Sequence, residues 1–261
     1  MDYYIVRYMG TVKKKERLIL IGILILLIII NYGFINGVLE KKISGDEAIL
    51  IEVERVIDGD TVVFNGTSMR LLGINSPEKG ELYSGEAQEY LEGLVLNKTV
   101  VLKKRGKDRY YRELVYLFNT RESININLEL VEKGYANFYF PSGKDEYYKD
   151  FVEAWEKCLK NGENLCEMSE DSCSDCIVLE EFGYDKDAIL YNMCEKTCNL
   201  EGWSIKDEGR KKFVFEDFSL ESGEGAQITS KAFDVDYVWT KSGDSIFLRD
   251  SEGKLVLWDT Y

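Results

Sequence analysis

Hydrophobic and polar positions change rhythm along the chain. Leu18 to Ile30 reads LILIGILILLIII, with no polar side chain. Continued through Asn31 and Tyr32 to Val38, the run makes a 21-residue helix. At about 1.5 Å per residue, such a helix reaches roughly 30 Å, the thickness of a hydrocarbon layer. Residues 39–47 are a short polar linker. From Ala48 the period drops to two, and strands are expected at Ala48–Ile57, Thr61–Phe64, Ser68–Ile74, Lys98–Lys103 and Leu114–Phe118. Helical spacing appears at Gly85–Leu96, Ile126–Lys133 and Tyr147–Leu159; the last carries Phe151, Val152, Trp155 and Leu159 on one face. Five strands with interspersed helices over residues 48–168 fit a small OB-type barrel. Beyond a Cys-containing linker at 169–176, short strands alternate with turns from Ile177 to Tyr261: 177–181, 188–191, 203–206, 212–215, 226–229, 245–249 and 255–258. That spacing predicts an immunoglobulin-like β-sandwich. The fold class is therefore mainly β with a few helices, preceded by an apolar segment.

Charge sharpens the reading of that segment. Residues 1–17 hold five basic and two acidic side chains, a balance of +3, so the remainder carries −17 of the net −14. A basic head, an apolar run and an acidic body predict a cytoplasmic tail at 1–17, a single-pass transmembrane anchor at 18–38 and an exported body at the cell membrane. Cleavage of the same run as a signal peptide, with secretion, is the alternative. The acidic body excludes general electrostatic affinity for polyphosphates, so nucleic-acid chemistry needs local arginine and a cation. The sequence has no histidine, so acid–base work falls to Asp, Glu, Lys, Tyr or Cys.

Several residues at turns and strand ends carry candidate chemistry. Asp58 and Asp60 flank Gly59 in a tight turn. Arg70 lies in the following strand, which runs into Asn75-Ser76-Pro77-Glu78. Asp108-Arg109-Tyr110-Tyr111-Arg112 opens a later strand. If the first three strands are neighbours, Asp60, Arg70 and Glu78 converge at one end of the sheet. A carboxylate among hard oxygens suits Ca²⁺. Arginine forks match phosphodiester oxygens. A glutamate beside them can act as base toward water.

The ordered set Val56-Ile57-Asp58-Gly59-Asp60-Thr61, Arg70 through Glu78, Gly85-Glu86-Ala87, Asp108 through Arg112 and Leu130 through Ala136 resembles the thermonuclease (staphylococcal nuclease) family over about 48–167. The resemblance implies a Ca²⁺-dependent nuclease acting on DNA or RNA. It implies Asp60, Asn75 and Ser76 at the metal, Arg70 and Arg112 on the phosphate, and Glu78 as the base. Two positions depart from the family pattern: Asn75 replaces a calcium carboxylate, and Tyr111 replaces a glycine before the second arginine. These departures motivate the alternative of a catalytically weakened nucleic-acid-binding module. Tyr110 and Tyr139, with Phe140, are candidates for stacking on bases.

Six cysteines, Cys158, Cys166, Cys173, Cys176, Cys194 and Cys198, cluster after the barrel. In an exported chain they are expected as disulfides, with Cys158–Cys166 and Cys194–Cys198 as local pairs; their spacing also admits a Cys₄ zinc site. Residues 177–261 resemble a lamin-tail domain through Val178–Phe182, Asn199–Gly209, Phe213–Phe215 and Ser242–Gly253. That resemblance implies a binding or placement role for a ligand the sequence does not name. Asp207, Asp244 and Asp250 are expected as turn residues.

Overall fold

The computed structural model describes residues 21–23, 48–121, 123–141 and 143–261. The basic tail, most of the expected transmembrane run and the linker lie outside the described residues; Ile21, Gly22 and Ile23 are helical. No helix among the described residues is long and apolar enough to cross a membrane.

Ala48–Tyr261 form one unit. Its first half runs β1 (Ala48–Glu52), β2 (Arg55–Asp58), β3 (Thr61–Phe64), β4 (Thr67–Leu71), β5 (Gly73–Asn75), α1 (Ser84–Val95), β6 (Thr99–Lys107), β7 (Glu113–Asn119), α2 (Ile126–Glu132), β8 (Asn137–Tyr139) and α3 (Tyr148–Asn161). The main sheet has the order β1-β6-β7-β4-β3-β2. Its two edges, β1 and β2, are halves of one bent segment. Ala48–Glu52 pairs with β6, while Arg55–Asp58 pairs with β3, so the sheet closes on itself. Counted by chain segment, this is the five-stranded barrel that the alternating pattern predicts. The bend at Val53 and Glu54 splits the first expected strand, and Leu72 splits the third into β4 and β5. Strand β8, which pairs with β5, has no alternating signature to betray it.

The helices follow their apolar spacing. Ala87, Leu91 and Val95 of α1 are buried four residues apart. In α2, the side chain of Asn125 caps the amides of Asn127 and Leu128. In α3, Phe151, Ala154, Trp155 and Cys158 face inward, and Gly162 ends the helix at φ +66°. Full burial of side chains such as Leu71, Leu102 and Leu117 contributes about 1.5–3 kcal/mol each. Phe140, a candidate for stacking, packs edge-on against Phe151 and Tyr148 instead, so it belongs to the core.

The second half comprises β9 (Ile177–Gly183), β10 (Lys186–Asn192), β11 (Cys198–Asn199), β12 (Ser204–Lys206), β13 (Lys212–Val214), β14 (Ser219–Leu220), β15 (Gly225–Ile228), β16 (Ser245–Arg249) and β17 (Leu255–Thr260). A three-stranded sheet β15-β10-β9 and a four-stranded sheet β13-β12-β16-β17 share a core that includes Leu190, Trp203, Ile205, Ile246 and Leu248. Alternation along β16 also joins the halves: Ile246 and Leu248 enter the sandwich core, while Phe247 faces the barrel. There its ring meets Trp155 of α3 at 5.5 Å, and Trp258 of β17 lies 6.3 Å from the same indole. Backbone bonds from Ser169 to Leu255 and from Leu255 to Glu167 tie the linker to β17.

All six cysteines are paired, as Cys158–Cys166, Cys173–Cys198 and Cys176–Cys194. The first pair is the expected one; the expected Cys194–Cys198 bond is not formed. Antiparallel register sets Ile177 opposite Asn192, and the amide of Met193 binds the carbonyl of Cys176. That register brings Cys194 to Cys176 and leaves Cys198 for Cys173. With no free thiol, a Cys₄ zinc site has no ligands.

Candidate active site

The site begins at the turn between β2 and β3. Asp58 accepts the Asp60 amide at 3.1 Å and so closes the turn around Gly59. A side chain at Gly59 would meet the β-carbons of Ser76 and Ala87 at 2.7 Å, so glycine is required for the turn to approach the β5 loop. Burial, and then the neighbouring Asp60 charge, raise the Asp58 carboxyl above the usual range.

Asp60 is 5% exposed, and both its oxygens are engaged. Oδ1 meets Arg70 Nη1 at 2.6 Å and the Thr61 hydroxyl at 3.1 Å. Oδ2 accepts the Ser76 amide at 2.8 Å and its hydroxyl at 2.9 Å. The other end of the Arg70 fork, Nη2, donates to Asn75 Oδ1 at 3.1 Å. Pairing of Thr61 with Arg70 across β3 and β4 sets this geometry. Arg70, Asp60, Asn75 and Ser76 are thus brought together, as the sequence pattern predicts.

Glu78 lies two residues beyond Ser76. Its amide donates to Glu81 Oε2 at 3.0 Å, and its own carboxylate meets Arg210 Nε at 2.6 Å. Arg112 immediately precedes the neighbouring strand: β4 and β7 run parallel with Arg70 beside Leu114, two residues beyond Arg112. Asp108 organises the Arg112 turn. It accepts the amides of Tyr110 and Arg112 through Oδ1 and the guanidinium through Oδ2 at 2.7 Å. Burial pulls the Asp108 carboxyl up, but bonds from the Arg112 side chain and these amides outweigh it and hold it below the usual range. Tyr110 is exposed, with the Arg109 and Arg112 guanidinium groups over its ring at 4.8 and 5.7 Å.

Tyr139 stands differently. A side chain at Gly209 would meet its ring at 3.4 Å, and burial raises its phenol above the usual value. It faces the second half of the chain rather than open solvent. That half supplies residues the sequence reading missed. Asn75 Nδ2 donates to the Gly209 carbonyl at 2.9 Å, and Asn137 Nδ2 donates to the Glu208 carbonyl at 2.9 Å. Asp207, Asp244 and Asp250 do serve turns, accepting the amides of Lys211, Thr240 and Lys254.

The residues also fit a hard cation in their chemistry. Asp60 and Asn75 are oxygen donors, and their oxygens converge on one cationic group, the Arg70 guanidinium. One carboxylate rather than two limits the charge available to a dication.

Comparisons with known proteins give the family of each half. Residues 68–167 match the model of the staphylococcal nuclease homologue family, and residues 172–261 match that of the lamin tail domain. The chain is 31% identical over 155 residues to a thermonuclease of Staphylococcus intermedius, covering 52% of this chain and 89% of that protein. It is 35% identical over 118 residues to an uncharacterized endonuclease of Haemophilus influenzae, covering 43% of this chain and 64% of that protein. It is 33% identical over 134 residues to endonuclease YhcR of Bacillus subtilis, covering 43% of this chain and 11% of that protein. The chain thus spans less than two thirds of the length of the last two relatives. A closed barrel with Asp60 and Arg70 paired at one end of its sheet, and Asn75 and Ser76 bonded to them, defines the class, a nuclease-type fold. The chain belongs to the staphylococcal nuclease family.

Proposed function

We propose that the chain is a Ca²⁺-dependent nuclease that hydrolyses phosphodiester bonds of DNA or RNA. The observation that carries this reading is the buried Asp60–Arg70–Asn75–Ser76 cluster with Glu78 on the same loop. Asp60, Asn75 and the Ser76 backbone would hold the cation, which supplies positive charge for the developing phosphorane. Glu78 positions and deprotonates the attacking water. Arg70 and Arg112 bind the phosphate oxygens, Arg70 by exchanging its bonds to Asp60 and Asn75 for bonds to substrate. Tyr110, exposed beside two arginines, stacks on a base.

Cleavage of a labelled oligonucleotide tests this directly. The full chain should cut in millimolar Ca²⁺ and stop in chelator, and Glu78→Gln and Arg112→Ala should each slow it by at least about 100-fold. A wild-type chain that binds oligonucleotide but does not cut it at any Ca²⁺ concentration favours the weakened binding module, the reading that Asn75 supports. The basic head, the apolar run and three disulfides together support an exported body anchored by residues 18–38. Membrane fractionation and protease protection of the full chain test that placement.

A further inference from the structure

The β12–β13 hairpin of the lamin-tail half ends in Asp207-Glu208-Gly209-Arg210-Lys211, and this tip is seated on the nuclease half. Asp207 closes it by accepting the Lys211 amide at 2.9 Å. Two buried asparagines of the barrel, Asn75 and Asn137, hold its carbonyls. At the stem, Lys206 and Lys212 meet Glu81 at 3.4 and 3.1 Å, and Glu81 in turn holds the Glu78 amide. Arg210 is thereby delivered to Glu78.

We propose that Arg210 is a substrate-binding residue of the nuclease site, contributed by the lamin-tail half, and that it contacts a phosphodiester of the bound strand. This rests on the nuclease reading above. The Glu78 and Arg210 side chains are 48% and 61% exposed, and a pair so exposed adds little to stability. Its meaning lies in what the guanidinium presents. Nε meets Glu78 at 2.6 Å, and among the described residues the guanidinium has no ion-pair or hydrogen-bond partner other than Glu78. A guanidinium with a single partner keeps donors for a phosphate, and this one stands beside the Glu78 carboxylate. A phosphate approaching Glu78 meets its carboxylate charge in a chain of net charge −14. Arg210 offsets that repulsion, and the hairpin anchors fix where it stands.

The test measures oligonucleotide binding by fluorescence anisotropy with the full chain, in a Glu78→Gln background that prevents cleavage. Replacing Glu78 by Gln releases Arg210, so binding should tighten relative to the wild type in chelator. Adding Arg210→Ala should weaken single-strand binding about five-fold at 0.1 M salt and reduce the salt slope by about 0.7, the value of one lost phosphate contact. Arg210→Lys should keep the slope, because it keeps the charge, and lose part of the affinity with the fork. Unchanged or tighter binding by Arg210→Ala, with an unchanged slope, overturns the proposal. If the chain cuts and Glu78→Gln does not, that result leaves the nuclease reading standing. A chain that binds no oligonucleotide overturns both.

Discussion

Asn75 donates its side-chain amide to the Gly209 carbonyl at 2.9 Å, so a bond between the two halves of the chain runs through a position proposed for the metal site. A carboxylate here would set oxygen against oxygen. Asn75→Asp should therefore destabilise the Ca²⁺-free chain by about 1–3 kcal/mol, the cost of a buried carbonyl left without its donor. It also restores a second negative ligand, so Ca²⁺ should raise the melting temperature more in the variant than in the wild type. Thermal unfolding with and without Ca²⁺ reads both effects. Equal Ca²⁺ shifts in the two proteins would remove position 75 from the metal site.

Arg70 and Asp60 form a buried pair at 2.6 Å, and the consequence of breaking it is asymmetric. Arg70→Ala leaves the Asp60 carboxylate buried without its cation, at a cost of about 3–5 kcal/mol. Arg112→Ala touches a partly exposed pair and should cost less than about 1 kcal/mol while still abolishing cleavage. Urea unfolding of the two variants separates them. A large loss in Arg70→Ala beside a small one in Arg112→Ala would give Arg70 a structural share on top of its proposed role at the phosphate, and Arg112 the proposed role alone.

Much of this site is legible in the sequence because it is local. Asp60, Arg70 and Ser76 lie within one meander, where turn chemistry and strand pairing decide the neighbours. The contribution of Gly209 and Arg210 is not legible, since Asn75 and Gly209 lie 134 positions apart and nothing in their types announces a partner. Strand β8 escaped for a related reason: Asn137 and Phe138 are both buried, so no alternation marks it. The Cys194–Cys198 expectation weighed sequence proximity, whereas the pairing follows the register of β9 against β10. Phe140 gave no sign of its side of the wall, because an aromatic at a barrel rim and one in its core read alike.

Glu208, next to the seated carbonyls, makes the seam sensitive to pH. Burial pushes its carboxyl up to about 8, and burial with the nearby Asp244 charge pushes Asp207 up to about 6. Both folded-state values lie above the unfolded ones, so the native chain holds protons that the unfolded chain releases. Their contribution to stability is complete below about pH 4 and is lost as pH rises through 6 and then 8. Glu208→Gln keeps an acceptor for the Ser245 hydroxyl and removes the titration. Melting temperature should fall between pH 6 and 9 in the wild type and fall less in the variant. Parallel curves for the two proteins would assign the dependence elsewhere.

Tyr111 occupies the position before Arg112 at φ +63°, a left-handed conformation that favours glycine, and its side chain is exposed. The left-handed backbone costs a tyrosine about 1–2 kcal/mol, while glycine costs about 0.5–1 kcal/mol through the freedom it gains in the unfolded chain. The two nearly offset, so Tyr111→Gly should change stability by no more than about 1 kcal/mol, in the stabilising direction. The turn itself depends on Asp108, whose oxygens hold the amides of Tyr110 and Arg112 and the Arg112 side chain. Tyr111→Gly should leave those bonds in place and keep cleavage within about two-fold of the wild type, whereas Asp108→Asn should lose the charged anchor of Arg112 and raise KM. A large loss of activity in Tyr111→Gly would show that the tyrosine ring itself meets the substrate.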